Sequence, residues 1–306
     1  MPVWRPKPAW LRDAVGSALA QDGCDLELVI VDDGNDQPVS ELLGDLRDPR
    51  VRHVRVAHNG VCAARNAGQA AAAGDFLRFV DADDVVEPGS TRHLLDLLAG
   101  RADHVAYGAT LYCDDDLRPR WRMTCRRQGD LAEATLLGRV AIRPQAVLFP
   151  RAVIERTGAW GDFRVSGDWD FILRAFEHAV VVGDQRVAAR YRRHGASLTS
   201  QIEEGMRSAR RIVEGYFERH PDRRGTGLER RARAMLDAKA ARVYASRGRW
   251  RAAVAPAARA AVTDPRALVL EAAQGLPALR AEGARRAGRV STRRPGMPRP
   301  GTSWQG

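Results

Sequence analysis

The run LELVIVDD at residues 26–33 narrows the possible folds more than any other stretch of this chain. It is short, apolar and β-branched, and it ends in two carboxylates followed by Gly34 and Asn35. Such a run reads as a buried parallel strand, because only a strand covered on both faces can do without alternating polar residues. The pattern then recurs. A second strand is expected at 51–56, an alanine-rich helix from about 61 to 73, and a third strand at 75–80 that ends in Asp81-Ala82-Asp83-Asp84. Strand, helix and strand in this order imply a right-handed crossover and an α/β doubly wound sheet. Ligands in such sheets sit beyond the carboxyl ends of the strands, where both acidic clusters fall, so one shared pocket is expected.

Further along, residues 87–98 read as a helix started by Pro88, and 104–127 as strand-like pieces around the acidic turn at 113–116. A short apolar strand at 145–150, a helix at 166–178 and one or two strands at 179–191 complete a first domain spanning 1–200. From 201 to 281 the composition shifts to Arg, Ala and Glu at helical spacing, with a helix, Gly248-Arg249 turn and helix over 240–265. This stretch resembles one tetratricopeptide-like hairpin. A single copy cannot bury a common core, which leaves a helical appendage packed on the first domain as the plainer reading. The tail at 282–306 sets arginines among Gly and Pro and is expected to be disordered.

At 306 residues the chain can bury a core without disulfide or metal staples. Its net charge of +11 comes almost entirely from arginine, since Lys7 and Lys239 are the only lysines among 49 basic residues. A basic surface attracts anions of many kinds and selects none of them, so no nucleic-acid partner is expected. Cys24, Cys62, Cys113 and Cys125 are scattered without CxxC pairing, which fits a reducing compartment. No stretch approaches the ~20 apolar residues of a membrane span, and the first residues lack a signal-peptide layout. The expected location is cytoplasmic, with peripheral association at the inner face of the membrane left open.

Carboxylates at the end of a buried strand are costly unless a cation or a helix N-terminus offsets them. Hard divalent cations take carboxylate oxygens and bridge to phosphate, which suits Mg2+ or Mn2+ on a nucleotide diphosphate. Capping of the next turn by Asp83 or Asp84 is the plainer alternative. For Asp32 and Asp33 the alternative is an Asx-type turn with Gly34 at positive φ. For Asp168, ahead of the apolar Trp169, Phe171 and Ile172, it is a helix cap.

Four blocks go further when taken together: VIVDDGND at 29–36, NGVCAARNAGQAAAAGDFLRFVDADD at 59–84, SGDWDFILR at 166–174 and YRRHGASLT at 191–199. In order, spacing and chemistry they resemble glycosyltransferase family 2, over about two thirds of the chain. The resemblance implies a GT-A fold and inverting transfer from a UDP- or dTDP-sugar, assisted by Mn2+ or Mg2+. The acceptor would be a hydroxyl of a saccharide or lipid-linked molecule, in polysaccharide, glycolipid or glycoconjugate synthesis. Carried over by position, it makes Asp168 the catalytic base and Asp83 the metal ligand, with His194 against the metal or diphosphate. Asp33 would hydrogen-bond the nucleotide base, Trp4 would stack on it, and Asp32 would hold the loop. Asn59 and Gly60 would shape the turn that admits the donor, Arg65 would lie near the diphosphate, and Asp81 would face the ribose or sugar. Trp160 and Trp169 would wall the acceptor or pack the core.

The chain departs from the family pattern in two places. Gly167 stands where many relatives carry Glu. The chain also opens on MPVWRPKPAW without the usual first strand and with Arg5 for Asn, so either an upstream start or an open sheet edge is expected. Two rival readings are a nucleotidyltransferase, for which no Gly-rich signature is present, and an inactive transferase-like scaffold that binds a partner through its helices.

Overall fold

The computed structural model describes residues 1–44, 46–140, 142–194 and 202–272; the tail expected to be disordered lies outside them. The first half opens with β1 (Pro2–Val3), α1 (Pro8–Leu19), β2 (Leu28–Asp33), α2 (Val39–Leu42), β3 (Val51–Val56) and α3 (Val61–Ala71). All six positions of β2 are buried, as its unbroken apolar run requires. Strands β1, β2 and β3 form a parallel sheet in that order, with Leu28 opposite Val51 and Val31 opposite Val54. Helix α3 lies on β2 through Ala64 against Val29 and Val31. The fit at Gly68 is close, since a Cβ there would come within 3.1 Å of the Val31 side chain.

The chain continues through β4 (Phe76–Leu77), β5 (Val85–Val86), α4 (Ser90–Leu98), β6 (His104–Cys113), β7 (Pro119–Met123), α5 (Ala132–Leu136), β8 (Val147–Pro150), α6 (Arg151–Thr157), α7 (Gly167–Phe176) and β9 (Val180–Arg192). Its sheet runs β4-β8-β6-β9-β5, with β7 hydrogen-bonded to β6. Strands β6 and β9 are parallel, whereas β4, β5 and β7 each join antiparallel. The mixed α/β class is as expected, but its strands divide between two sheets. Residues 75–80, read as a third parallel strand, contribute only Phe76–Leu77, paired antiparallel to β8. Between the two sheets runs a cleft of about 360 Å³, lined by Pro2, Leu28, Val29, Ala64, Leu77 and Phe79. Among the described residues, β4 pairs with β8 alone.

The first strand, expected to be missing, is present but short. Pro2 and Val3 lie parallel to Val31 and Asp32, with the Val31 amide donating to the Met1 carbonyl. The Met1 amino group also donates to the Val29 carbonyl at 2.7 Å, so the nitrogen of Pro2 faces away from β2 and costs this ladder no bond.

The helical part consists of α8 (Ile202–Arg219), α9 (Gly227–Ser246) and α10 (Trp250–Thr263). The expected hairpin turns at Gly248, at φ +72°, though its first helix begins well before residue 240. Leu136, Leu137 and Leu173 from the α/β part share one core cluster with Ile212, Phe217 and Met235. At ~1.5–3 kcal/mol for each fully buried large apolar side chain, that shared core joins the two parts firmly. Among the described residues, no helix is long and apolar enough to cross a membrane.

Candidate active site

At the end of β2 the two aspartates hold two different loops. Asp32 accepts from the backbone and side-chain amides of Asn35 (2.9 and 2.7 Å) and from the Val39 amide (3.2 Å). Burial opposes ionisation of Asp32, but these bonds and the charge of Arg55 outweigh it and hold the carboxyl below its usual range. Asp33 accepts from the backbone amides of Asn59 (3.0 Å) and Gly60 (3.1 Å), and its Oδ2 lies 2.8 Å from His58 Nδ1. With 1% of its surface exposed, Asp33 is engaged inside the protein, and contact with a nucleotide base requires His58 to give way. The His58 ring stacks on Trp4 at 3.8 Å, and the Arg5 guanidinium lies 4.8 Å from the Trp4 centroid. His58 was not legible as a site residue from the sequence, because nothing local distinguishes it from a loop histidine. Gly60, at φ +86°, supplies the backbone conformation that starts α3.

The acidic loop after β4 is held from several sides. Arg65 on α3 donates to Asp81 Oδ1 at 2.6 Å while its guanidinium lies 4.5 Å from the Trp160 centroid. Two residues read separately from the sequence thus form one pair. Asp83 Oδ2 lies 2.8 Å from His194 Nε2, just beyond the end of β9. Burial first, then the charge of Asp81, push the Asp83 carboxyl up against the pull of His194. Asp84 is fully buried, accepts from Gln145 Nε2 and from the Arg192 amide (2.8 Å), and is raised well above the carboxylate range by burial and its two acidic neighbours. Arg192 closes the loop from behind, donating to the carbonyls of Asp83 and Asp115 and to Asp13 at 2.9 Å.

Asp168 sits in the first turn of α7, 28% exposed at its side chain. Asp168 is not the residue at the cap position: that place is taken by Ser166, left-handed at φ +65° and without a side-chain cap bond. Asp168 Oδ1 instead accepts from the Trp169 amide (3.0 Å), and Oδ2 accepts from Arg143 Nη1 (2.9 Å). Arg143 is itself fixed by donation to the Tyr112 hydroxyl (2.9 Å) and lies 5.0 Å from the Tyr191 centroid on β9. Arg143 fell in a stretch without recognisable pattern, so the sequence gave no signal for it. Gly167 is closely packed, since a Cβ there would come within 2.6 Å of Cys62 Sγ and force that side chain to shift. Trp160 is core, stacked on Phe171 at 4.0 Å and 2°. Trp169 is half-buried, its Nε1 donating to the Thr135 carbonyl at 2.9 Å.

Asp83 and His194 offer one carboxylate oxygen and one imidazole nitrogen on neighbouring elements. Among the described residues, no group of three or more metal-ligating side chains converges. A two-ligand set of this kind fits Mg2+ or Mn2+ that takes its other oxygens from substrate phosphate and water.

The family model for glycosyl transferase family 2 matches residues 1–157, about half of the chain. This chain belongs to that family. Asp168 and His194 lie beyond the matched segment. Similar proteins include the succinoglycan biosynthesis protein ExoO of Rhizobium meliloti, 40% identical over 103 residues, covering 33% of this chain and 28% of ExoO. The glucosyl-dolichyl phosphate glucuronosyltransferase of Haloferax volcanii is 35% identical over 105 residues, 33% of each protein. The chain thus spans about a third or less of the length of these relatives. The solved structure of S. aureus TarS residues 1–349 in complex with UDP-GlcNAc shares the fold, with a TM-score of 0.57 at 13% identity, covering 85% of this chain and 89% of that one.

Proposed function

We propose that this protein is an inverting glycosyltransferase that moves a sugar from a UDP- or dTDP-sugar to a hydroxyl of a saccharide or lipid-linked acceptor, with Asp168 as the base. The observation that carries this reading is the role of Arg143. One guanidinium ties the carboxylate of Asp168 to β9, the strand whose end carries His194 against Asp83. The base on α7 and the acidic loop after β4 therefore belong to one polar assembly.

In this mechanism Asp168 takes the acceptor hydroxyl proton, positioned through Oδ2 by Arg143 and through Oδ1 by the Trp169 amide. Arg65 and Asp81 stand on the donor side, and Trp4, with His58 and Asp33 behind it, receives the base once His58 swings off the Trp4 face. Asn59 and Gly60 present backbone to the donor, their loop pinned by Asp33. Asp83 and His194 hold Mn2+ or Mg2+, which when bound offsets charge on the departing nucleoside diphosphate. No second carboxylate beside the sugar is required, since displacement is direct.

Calorimetry tests the donor side. UDP or dTDP should bind at least about tenfold tighter with Mn2+ or Mg2+ than in chelator, a difference of ~1.4 kcal/mol. Asp83→Ala should abolish that gain. An unchanged metal dependence in Asp83→Ala removes Asp83 from the ligand set, and no nucleotide binding in the wild type favours the inactive-scaffold reading.

A further inference from the structure

Beside Trp169 stands a cation that the proposed mechanism does not use. Lys239, on α9, holds its Nζ 4.8 Å from the centroid of Trp169, the residue that follows Asp168. The Trp169 indole is fixed by its bond to the Thr135 carbonyl, so the ammonium rests on a rigid platform. Lys239 is half-buried, and among the described residues its ammonium has no ion-pair or hydrogen-bond partner. The nearby carboxylate of Glu271 is committed to Arg242 at 2.7 Å. Burial lowers the pKa of the ammonium; Glu271 and, more weakly, Asp168 raise it, while Arg242 and Arg143 add to the lowering. The face of Trp169 offsets part of the cost of burying this ammonium, and a carboxylate or phosphate of a ligand would offset more.

We infer that Lys239 forms an anion-recognising subsite for the acceptor, so that the preferred acceptor carries a phosphate or carboxylate close to its reacting hydroxyl. This rests on the reading of Asp168 as base. Lys239 adjoins that residue through Trp169, whereas the donor-side groups Arg65, Asp81, Asp83 and His194 stand on α3, the loop after β4 and the end of β9. A lysine suits such a role, because its ammonium is a compact point charge that accepts phosphate and carboxylate from several directions. The helical region would then choose the acceptor as well as buttress the α/β part.

The test uses the full chain with Mn2+. UDP is titrated first, and the UDP-loaded protein is then titrated with glucose 1-phosphate, methyl β-glucuronoside and methyl β-glucoside. At least one anionic sugar should bind about tenfold or more tightly than the neutral glucoside, and comparing the two anionic arms tells phosphate from carboxylate. Lys239→Ala should erase the preference at unchanged UDP affinity, and Lys239→Met, of similar volume, should do the same if alanine disturbs the packing on Trp169. Equal binding of all three sugars, or a preference that survives both variants, overturns the inference alone. A loss of UDP affinity in the Lys239 variants assigns the ammonium to the donor diphosphate and overturns it too. Should UDP fail to bind, dTDP takes its place in both titrations; failure of the wild type to bind either nucleotide overturns the parent reading, and this one with it.

Discussion

Replacing Asp168 by asparagine is expected to lower sugar transfer by roughly 10²-fold or more while metal-dependent nucleotide binding and the fold persist. Asparagine offers Arg143 an amide oxygen in the same place but accepts no proton at neutral pH. The carboxylate is partly exposed, and Arg143 keeps its bond to the Tyr112 hydroxyl and its stacking on Tyr191. Loss of the charge should thus cost little stability, about 1 kcal/mol or less, or ~4 °C in thermal midpoint. Transfer kinetics and nucleotide calorimetry on the one variant separate chemistry from binding. Turnover near that of the wild type would leave Asp168 as a structural anchor for Arg143 and would end its assignment as base.

Phe171→Ala is expected to remove about 3–5 kcal/mol of stability, read as a lower urea midpoint at unchanged slope. Phe171 is fully buried, lies flat on Trp160, and meets Phe79 and Phe149 edge-on. Aromatic pairing adds to area burial, and the cavity left by truncation has rigid walls that cannot collapse. The same stack underlies the site, since Trp160 carries Arg65 on its ring and Phe171 lies in the helix whose first turn carries Asp168. Phe171→Leu should recover about half of the loss. A cost below about 1 kcal/mol for the alanine variant would mean that the cluster is not the rigid support described.

The sequence by itself determined the family, the strand, helix and acidic turn around β2 and α3, and most of the residues proposed for the site. Those features are local: a buried strand needs an unbroken apolar run, and the turn that starts α3 needs a glycine at positive φ. The spacing of linked blocks therefore carried Asp33, Arg65, Asp81, Asp83, Asp168 and His194 without any knowledge of distances.

The tertiary structure decided what long-range contact alone can fix. It paired Arg65 with Asp81 and His194 with Asp83, and it joined Asp168 to Arg143 across 25 residues of sequence. It engaged Asp33 with the His58 loop, used Trp160 in the core, and divided the expected single sheet in two at the cleft beside β2. Periodicity shows which face of an element is buried but not which partner covers it. That is why Arg143, His58 and Lys239, which stand in no motif and owe their setting to residues far along the chain, were invisible until the fold brought those partners together.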